Sequence, residues 1–466
     1  MYKNTKSLNE ECGVFGVYNN NDASRIAFFG LHSLQHRGQE GCGIVTNHND
    51  KFNIVKGKGL LTEVIKEDML EKLEGENAIG HVRYATSGGG GSENIQPFVF
   101  HQTRLKFSLC HNGNIVNSKE IKVMLENNGS IFQSQSDSEL VAHLIMNNYK
   151  GDLVAALKTS LNFLEGAFSF LLLFENKLIA VRDKLGLRPL AVGKLNEGYV
   201  VSSETCGLDL VGAKFLYDVK PGEIIIFEDD KVEKTFYASA TKSNMCAMEY
   251  IYFSRPDSVI EGINVNSYRY KTGELLAKQS DTKADVVIGV PDSSIAAAIG
   301  YASESGIDYR MGLLKNKYVG RTFIEPTQEL REEKVKLKLS VIQDVVEGKD
   351  IILVDDSLVR GTTSKKLVRL LKDHGAKKVH VKIASPPIMF PCFYGVDIST
   401  LEELVAYNKS IAEICEYIEA DSLEYLDINS LEMCSNNTNL CKACFNGVYP
   451  THLYANLESA NKEGKF

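Results

Sequence analysis

The chain has 466 residues, enough for two or three domains that each bury a full core, which excludes a single small module. It is 44% hydrophobic and 24% charged with ordinary glycine and proline content, which excludes a disordered or fibrous chain. A net charge of −8, with the basic residues scattered, leaves no electrostatic footprint for nucleic acid.

The opening residues lack the basic and apolar regions of a secretory signal. The longest apolar run, AFSFLLLF at 167–174, is too short to span a bilayer. The expectation is a cytoplasmic protein with no membrane partner. Cys12 follows in NEECGVFG, at the head of an apolar run. A thiol there is open to four readings: buried hydrophobe, half of a disulfide, metal ligand or nucleophile.

From Cys12 to about residue 240, short runs such as GVFGVY, CGIVTN, AIGHVRYAT, FSLCHNGNI, KLIAVRD and GEIIIFE read as strands bounded by Gly, Asn or Asp. DASRIAFFGLHSLQHRG and SELVAHLIMNNY read as helices. Many strands with inserted helices and no strict alternation predict an α+β unit, layered α/β/β/α. After about 245, ADVVIGVPDSSIAAAIGYASESG reads as strand, turn and helix, and KDIILVDDSLVRGTTSKKLVRLLKDHGAKKVHVKIASPP as strand, loop, helix and strand. Such alternation predicts an α/β unit with a parallel sheet. Boundaries are placed to give domains 12–240 and 241–400, followed by a helical segment 401–466 that packs back on the second domain.

The densest chemistry lies in IILVDDSLVRGTTS, 351–364. The apolar run makes a buried strand, so Asp355 and Asp356 stand at its carboxyl end, where ligands bind in open α/β sheets. RGTTS opens a helix and offers backbone N–H groups and hydroxyls to an anion. Paired acids in a turn and a GTTS helix cap are common for structural reasons alone. The whole string is more restrictive, and it is not a Walker A loop.

This string resembles the phosphoribosyl pyrophosphate (PRPP) signature of type I phosphoribosyltransferases. The resemblance implies that Gly361, Thr362, Thr363 and Ser364 hold the 5′-phosphate, while Asp355 and Asp356 hold the ribose hydroxyls and order Mg²⁺. GVPDSS, 289–294, is similar to the family's pyrophosphate loop, with Asp292 and Ser293 on PRPP and Ser293 near magnesium. The stretch 313–339 carries few strong structure cues through its first half and reads by itself as a solvated loop; in the family it resembles a lid over PRPP.

In the first half, SLQHRGQEGCG, HVRYATSGG, HNGNI and SQSDSE each have an ordinary explanation as a turn, a paired arginine or a cap. Together with CGVFG they resemble the glutaminase domain of class II glutamine amidotransferases, which are N-terminal-nucleophile (Ntn) enzymes. The two-domain order resembles the amidophosphoribosyltransferase family from Cys12 to about Cys444. The resemblance implies glutamine and PRPP as substrates and purine biosynthesis as the setting. It implies Cys12 as nucleophile, Asn112 and the Gly113 N–H as oxyanion hole, and Arg83, Thr86 and Asp137 as glutamine contacts. It also implies purine nucleotide feedback inhibitors and a homotetramer. Cys12 needs its own α-amino group to act as base, so the implied leader MYKNTKSLNEE is a propeptide cut after Glu11.

Ten cysteines in a reducing compartment should mostly be free thiols. Cys441 and Cys444 form a CxxC, which supplies two ligands for a metal or cluster. By resemblance to the propeptide-bearing members, Cys246 and Cys392 complete a [4Fe–4S] set with them. Thiolate ligation by itself suits iron–sulfur and zinc equally, and Cys434 is a rival ligand.

Overall fold

A computed structural model of the chain describes residues 12–49, 51–84, 91–103, 105–229, 231–239, 242–316, 339–396, 398, 401–435 and 439–452. The leader 1–11 and Thr86 lie outside the described residues, as do residues 317–338 of the stretch 313–339 expected as a lid.

Alternation of side chains makes the first strand, Gly13–Tyr18, a two-faced element. Val14 and Tyr18 pack toward a second sheet, whereas Phe15 and Val17 pack toward a helical layer. The strand is fourth in a seven-stranded antiparallel sheet ordered Lys214–Asp218, Ala191–Leu195, Gly198–Ser202, Gly13–Tyr18, Asn77–Arg83, Gly41–His48 and Lys51–Lys58. A six-stranded antiparallel sheet lies against it, ordered Lys231–Phe236, Glu223–Glu228, Lys177–Arg182, Gly166–Phe174, Leu105–Ile115 and Phe98–Gln102. Val14, Ile79 and Val201 of one sheet meet Cys110, Leu171 and Ile225 of the other in a common core. Helix Ala23–Ser33 covers the outer face of the first sheet, and helices Asp137–Asn148 and Leu153–Asn162 that of the second. The result is the expected αββα sandwich.

Helices Ser118–Asn127 and Leu153–Asn162 were not among the expected elements. The first buries only Ile121 and Leu125, so its apolar stripe is too narrow to stand out. Edge strands such as Lys231–Phe236 are largely exposed and charged, and carry no clean alternation either.

The second half contains a four-stranded parallel sheet ordered Val286–Gly289, Asp350–Asp355, Lys378–Ile383 and Ser422–Tyr425. Both faces are buried, as parallel sheets require. Val287, Ile352 and Val354 share a core with helices Val265–Lys278 and Ile295–Ser305. Ile288, Ile351 and Leu353 share another with helix Thr362–Asp373 and with Ile414 and Ile418. Segment 401–466, expected as helical, also supplies the fourth strand of this sheet. That strand is four residues long and alternates half-buried with buried positions, too short to register in a Glu- and Leu-rich stretch. Among the described residues no helix is long and apolar enough to cross a membrane.

Candidate active sites

Cys12 immediately precedes the first strand, whose partner register sets Gly13 opposite Val82. Its thiol therefore lies beside Tyr84: the Tyr84 N–H donates to Cys12 Sγ, and the thiol donates to the Tyr84 carbonyl, each at 3.5 Å. Arg83 closes the neighbouring strand and is buried. From the helical layer, Arg37 Nε donates to the Cys12 carbonyl at 3.1 Å. Nη1 of the same arginine donates to Glu204 Oε1 at 2.6 Å. Burial alone would push the Glu204 carboxyl up, but His36 and Arg37 outweigh it and hold the group well below the usual range.

The second sheet supplies Asn112 and Gly113 from strand Leu105–Ile115. Asn112 Nδ2 donates to Ser203 Oγ at 3.4 Å, and that hydroxyl accepts the Val14 N–H at 2.9 Å, which ties Asn112 to the strand behind Cys12. Gly113 has φ +142°, and a Cβ there would stand 2.0 Å from the Ala167 carbonyl oxygen. Only glycine fits that position without a backbone shift. Asp137 opens helix Asp137–Asn148 and accepts the Ile115 N–H at 3.0 Å, two residues beyond Gly113. Burial would raise its carboxyl, yet His111 and the Ile115 and Ser138 N–H groups hold it below the usual range. An ionised Asp137 suits an ammonium partner. Cys12, Arg83, Asn112, Gly113 and Asp137 are thus carried by neighbouring strands and one helix N-terminus.

At the other site, strand Asp350–Asp355 ends at the two acids as expected. A cleft there is lined by Tyr252, Ser293, Asp355, Asp356 and the loop through Ser364. Ser293 Oγ donates to Asp356, Ser294 Oγ to Asp355 Oδ1 at 3.0 Å, and Ser357 Oγ to Asp356 Oδ1 at 2.7 Å. Burial pushes both carboxyls up, and for Asp355 the adjacent Asp356 adds to it. Gly361, at φ +72°, is the N-cap of helix Thr362–Asp373, so the hydroxyls of Thr362, Thr363 and Ser364 belong to its first turn. Asp292 is exposed and accepts from Lys315 Nζ at 2.7 Å. Lys315 lies on strand Leu313–Lys315, which pairs antiparallel with Leu339–Val341, so the two ends of the stretch expected as a lid are clipped together.

The donor set of this site is hard: two carboxylates and a hydroxyl, with raised carboxyls that a cation would return to the ionised form. These residues fit Mg²⁺, which is ordinarily held by one or two carboxylates plus substrate phosphates.

The four predicted cluster cysteines are gathered by backbone contacts between distant segments. Cys246 and Cys441 form a parallel bridge, in which Cys441 N–H donates to the Met245 carbonyl at 2.9 Å and Ala247 N–H to the Cys441 carbonyl at 3.1 Å. The Cys444 carbonyl accepts the N–H groups of Met389 and Phe390, two to three residues before Cys392. Burial pushes the Cys441 thiol up to about 12, with Cys392 adding to it, and Cys444 is raised by the same causes. Bound iron would reverse the effect. Among the described residues no three His, Cys, Asp or Glu side chains converge on one ion. An all-thiol donor set suits a cysteine-ligated cluster. Cys434 lies instead beside Tyr268, Lys271 and Glu274.

No role for Arg37, Ser203, Glu204 or Glu249 is legible in the sequence alone. Their partners lie far along the chain, with 167 residues between Arg37 and Glu204, 212 between Arg37 and Glu249 and 91 between Asn112 and Ser203, so no local pattern marks them.

Comparison with known proteins agrees with this division. A glutamine amidotransferase domain matches residues 81–209, and a phosphoribosyl transferase domain matches 268–385. The chain is 52% identical to an amidophosphoribosyltransferase from Bacillus subtilis (strain 168), over 97% of each chain. It is 50% identical to one from Staphylococcus aureus (strain MRSA252), over 97% of this chain and 93% of the other. A solved structure of the glutamine PRPP amidotransferase from B. subtilis, complexed with ADP and GMP, superposes with TM-score 0.90 at 51% identity, covering 95% of this chain and 98% of the other. A structure described as the allosteric regulatory enzyme of purine biosynthesis gives TM-score 0.91 at 52% identity, covering 95% and 97%. With half of its residues identical along nearly its whole length, and with both catalytic folds in the same order, the chain belongs to the amidophosphoribosyltransferase family.

Proposed function

We infer that the protein converts glutamine, PRPP and water to 5-phosphoribosylamine, glutamate and pyrophosphate, the first step of de novo purine biosynthesis. The observation that carries this is the pairing, in one chain of this family, of a cysteine at the head of the first Ntn strand with two buried acids ahead of a GTTS helix start.

The Cys12 sulfur attacks the glutamine amide carbon, the carbonyl oxygen becomes an oxyanion, and ammonia leaves with a proton. Water then cleaves the thioester to glutamate. A free thiol ionises near pH ~8.5 and needs a base at neutral pH. An α-amino group, with a pKa of about 7.7–8.0, serves once MYKNTKSLNEE has been removed. Asn112 Nδ2 and the Gly113 N–H take the oxyanion, each such donor being worth about 3–4 kcal/mol. Arg83 and Thr86 hold the substrate carboxylate end, and Asp137 holds its ammonium group.

Ammonia passes internally to the second site, where it stays unprotonated and attacks the ribose carbon that bears pyrophosphate. The Gly361–Ser364 turn holds the 5′-phosphate, Asp355 and Asp356 the ribose hydroxyls, and Asp292 and Ser293 the pyrophosphate side. Magnesium, when bound by Ser293, Asp355 and Asp356, offsets the charge of departing pyrophosphate. A [4Fe–4S] cluster on Cys246, Cys392, Cys441 and Cys444 would act as a structural staple between the domain junction, the core and the tail. The domains are 12–240, 241–400 and 401–466, the protein is cytoplasmic and homotetrameric, and purine nucleotides inhibit it, as the ADP- and GMP-bound relative suggests.

The test is Cys12→Ala, assayed with glutamine and with ammonia as alternative nitrogen donors. Glutamine-dependent pyrophosphate release is expected to vanish while ammonia-dependent release continues. Loss of neither, or of both equally, contradicts the assignment.

A further inference from the structure

Glu249 belongs to neither site as described above. It opens a π-turn, Glu249–Phe253, at the junction of the two halves, and it is fully buried. Its Oε1 accepts from Arg37 Nη2 at 2.7 Å and from Arg188 Nη1 at 3.2 Å. Its Oε2 accepts from Arg37 Nη1 at 3.0 Å and from Ser254 Oγ at 2.7 Å. Both arginines come from the glutaminase half and are themselves buried.

The Arg37–Glu249 pair is bidentate, and a guanidinium is rigid and planar. Fixing Nη1 and Nη2 therefore fixes the direction in which Nε points. Nε points at the Cys12 carbonyl. The carboxylate that sets this plane comes from beyond the glutaminase sheets, on a turn held by the phosphoribosyl half. Arg269, on helix Val265–Lys278, donates to the Tyr250 carbonyl and to the Ser254 carbonyl, each at 2.8 Å, which brackets the turn. The Arg269 charge in turn acts on Asp356. Hydrogen bonds and ion pairs thus run from Arg269, in the phosphoribosyl half, through the turn and Glu249 to Arg37 and the Cys12 carbonyl. A π-turn is a costly insertion that persists mainly where it places a functional group. A buried ion pair kept only for stability is replaceable by apolar packing.

We propose that Glu249 is a positioning residue for glutamine hydrolysis: from the phosphoribosyl half, its bidentate pair with Arg37 sets where the Cys12 main chain, and with it the thiol and α-amine, stands. This rests on the reading of Cys12 as the nucleophile. Glu249 touches no substrate, so its removal misplaces the nucleophile without emptying either binding site.

The experiment uses the full, processed chain with Glu249→Gln and, separately, Ser254→Ala, which removes only the hydroxyl on Glu249 Oε2. For Glu249→Gln, glutaminase kcat is expected to fall about 10²-fold, the scale of a misplaced reacting group. KM for glutamine should stay within about threefold and ammonia-dependent synthesis within about twofold, because ground-state binding is untouched. Iodoacetamide alkylation of Cys12, followed by mass spectrometry, should slow in parallel with kcat. Ser254→Ala should show the same selective loss at about three- to tenfold. Equal losses of both activities in a folded variant, or an unchanged glutaminase kcat, overturn the inference. If Glu249→Gln fails to fold, Ser254→Ala decides, and absence of a selective loss in it overturns the inference. Cys12→Ala run alongside separates the two claims: glutamine hydrolysis surviving it overturns the nucleophile reading itself.

Discussion

Gly113 is where backbone conformation and chemistry coincide. Its φ of +142° and the Ala167 carbonyl 2.0 Å from a would-be Cβ leave no room for any side chain. Gly113→Ala should shift the strand and misaim its N–H, lowering glutaminase kcat by about 10²-fold or more, on the scale of a lost oxyanion donor. Steady-state kinetics with glutamine and with ammonia would check that the loss is confined to the first reaction. Asp355 offers a second test, through pH. Its carboxyl is raised in the folded protein, first by burial and then by Asp356, so folding favours the protonated form. Stability from this source is full below the ordinary carboxylate range and is lost as pH rises through the raised folded value. Without magnesium, thermal melts between about pH 5 and pH 8 should lose stability with rising pH more steeply in the wild type than in Asp355→Asn, and magnesium should flatten the difference. The residues expected to react stood out as candidates because each sits in a short local string, such as CGVFG, HNGNI or VDDSLVRGTTS. The charges that hold them were not, because Glu204 and Glu249 meet Arg37 only through the fold.

At the scale of elements, the strands with strong alternation and the parallel strands with continuous apolar runs were readable, since one or both of their faces are buried. Weak edges and narrow-striped helices were not, because tertiary contact rather than local pattern selects them. The crossing of helices Val265–Lys278 and Ile295–Ser305 shows such a contact. A Cβ on Gly300 would come within 2.0 Å of the Tyr270 carbonyl oxygen, and one on Gly273 within 1.9 Å of the Ala297 oxygen. Replacing either by alanine gains about 1 kcal/mol of helix propensity. It must also push two backbones apart, an overpacking cost of about 1–3 kcal/mol. The second effect should win, because the obstacle is a carbonyl and not a flexible side chain. Differential scanning calorimetry of Gly300→Ala should show a melting temperature lowered by a few degrees, at roughly 2–4 °C per kcal/mol.

Cys246, Cys392, Cys441 and Cys444 come from the junction, a loop and the tail of the chain and lie in or against two buried apolar cores. If they carry the cluster, Cys392→Ala should abolish broad visible absorption near ~400 nm, the mark of cysteine-ligated iron–sulfur. The same change should also lower the unfolding temperature, because metal binding free energy is folding free energy. Spectra and melts taken on the same aerobically aged sample would show whether the two losses run together. The position of the first strand has a further, practical consequence. It is central in its sheet, and Cys12 stands at its head, against Arg37 and Tyr84. Whatever is joined ahead of Cys12 is joined to the mouth of a reaction chamber. An amino-terminal affinity handle would block the α-amine for as long as it stayed and would be lost with the leader on processing, so anyone purifying this enzyme should place the handle at the other end.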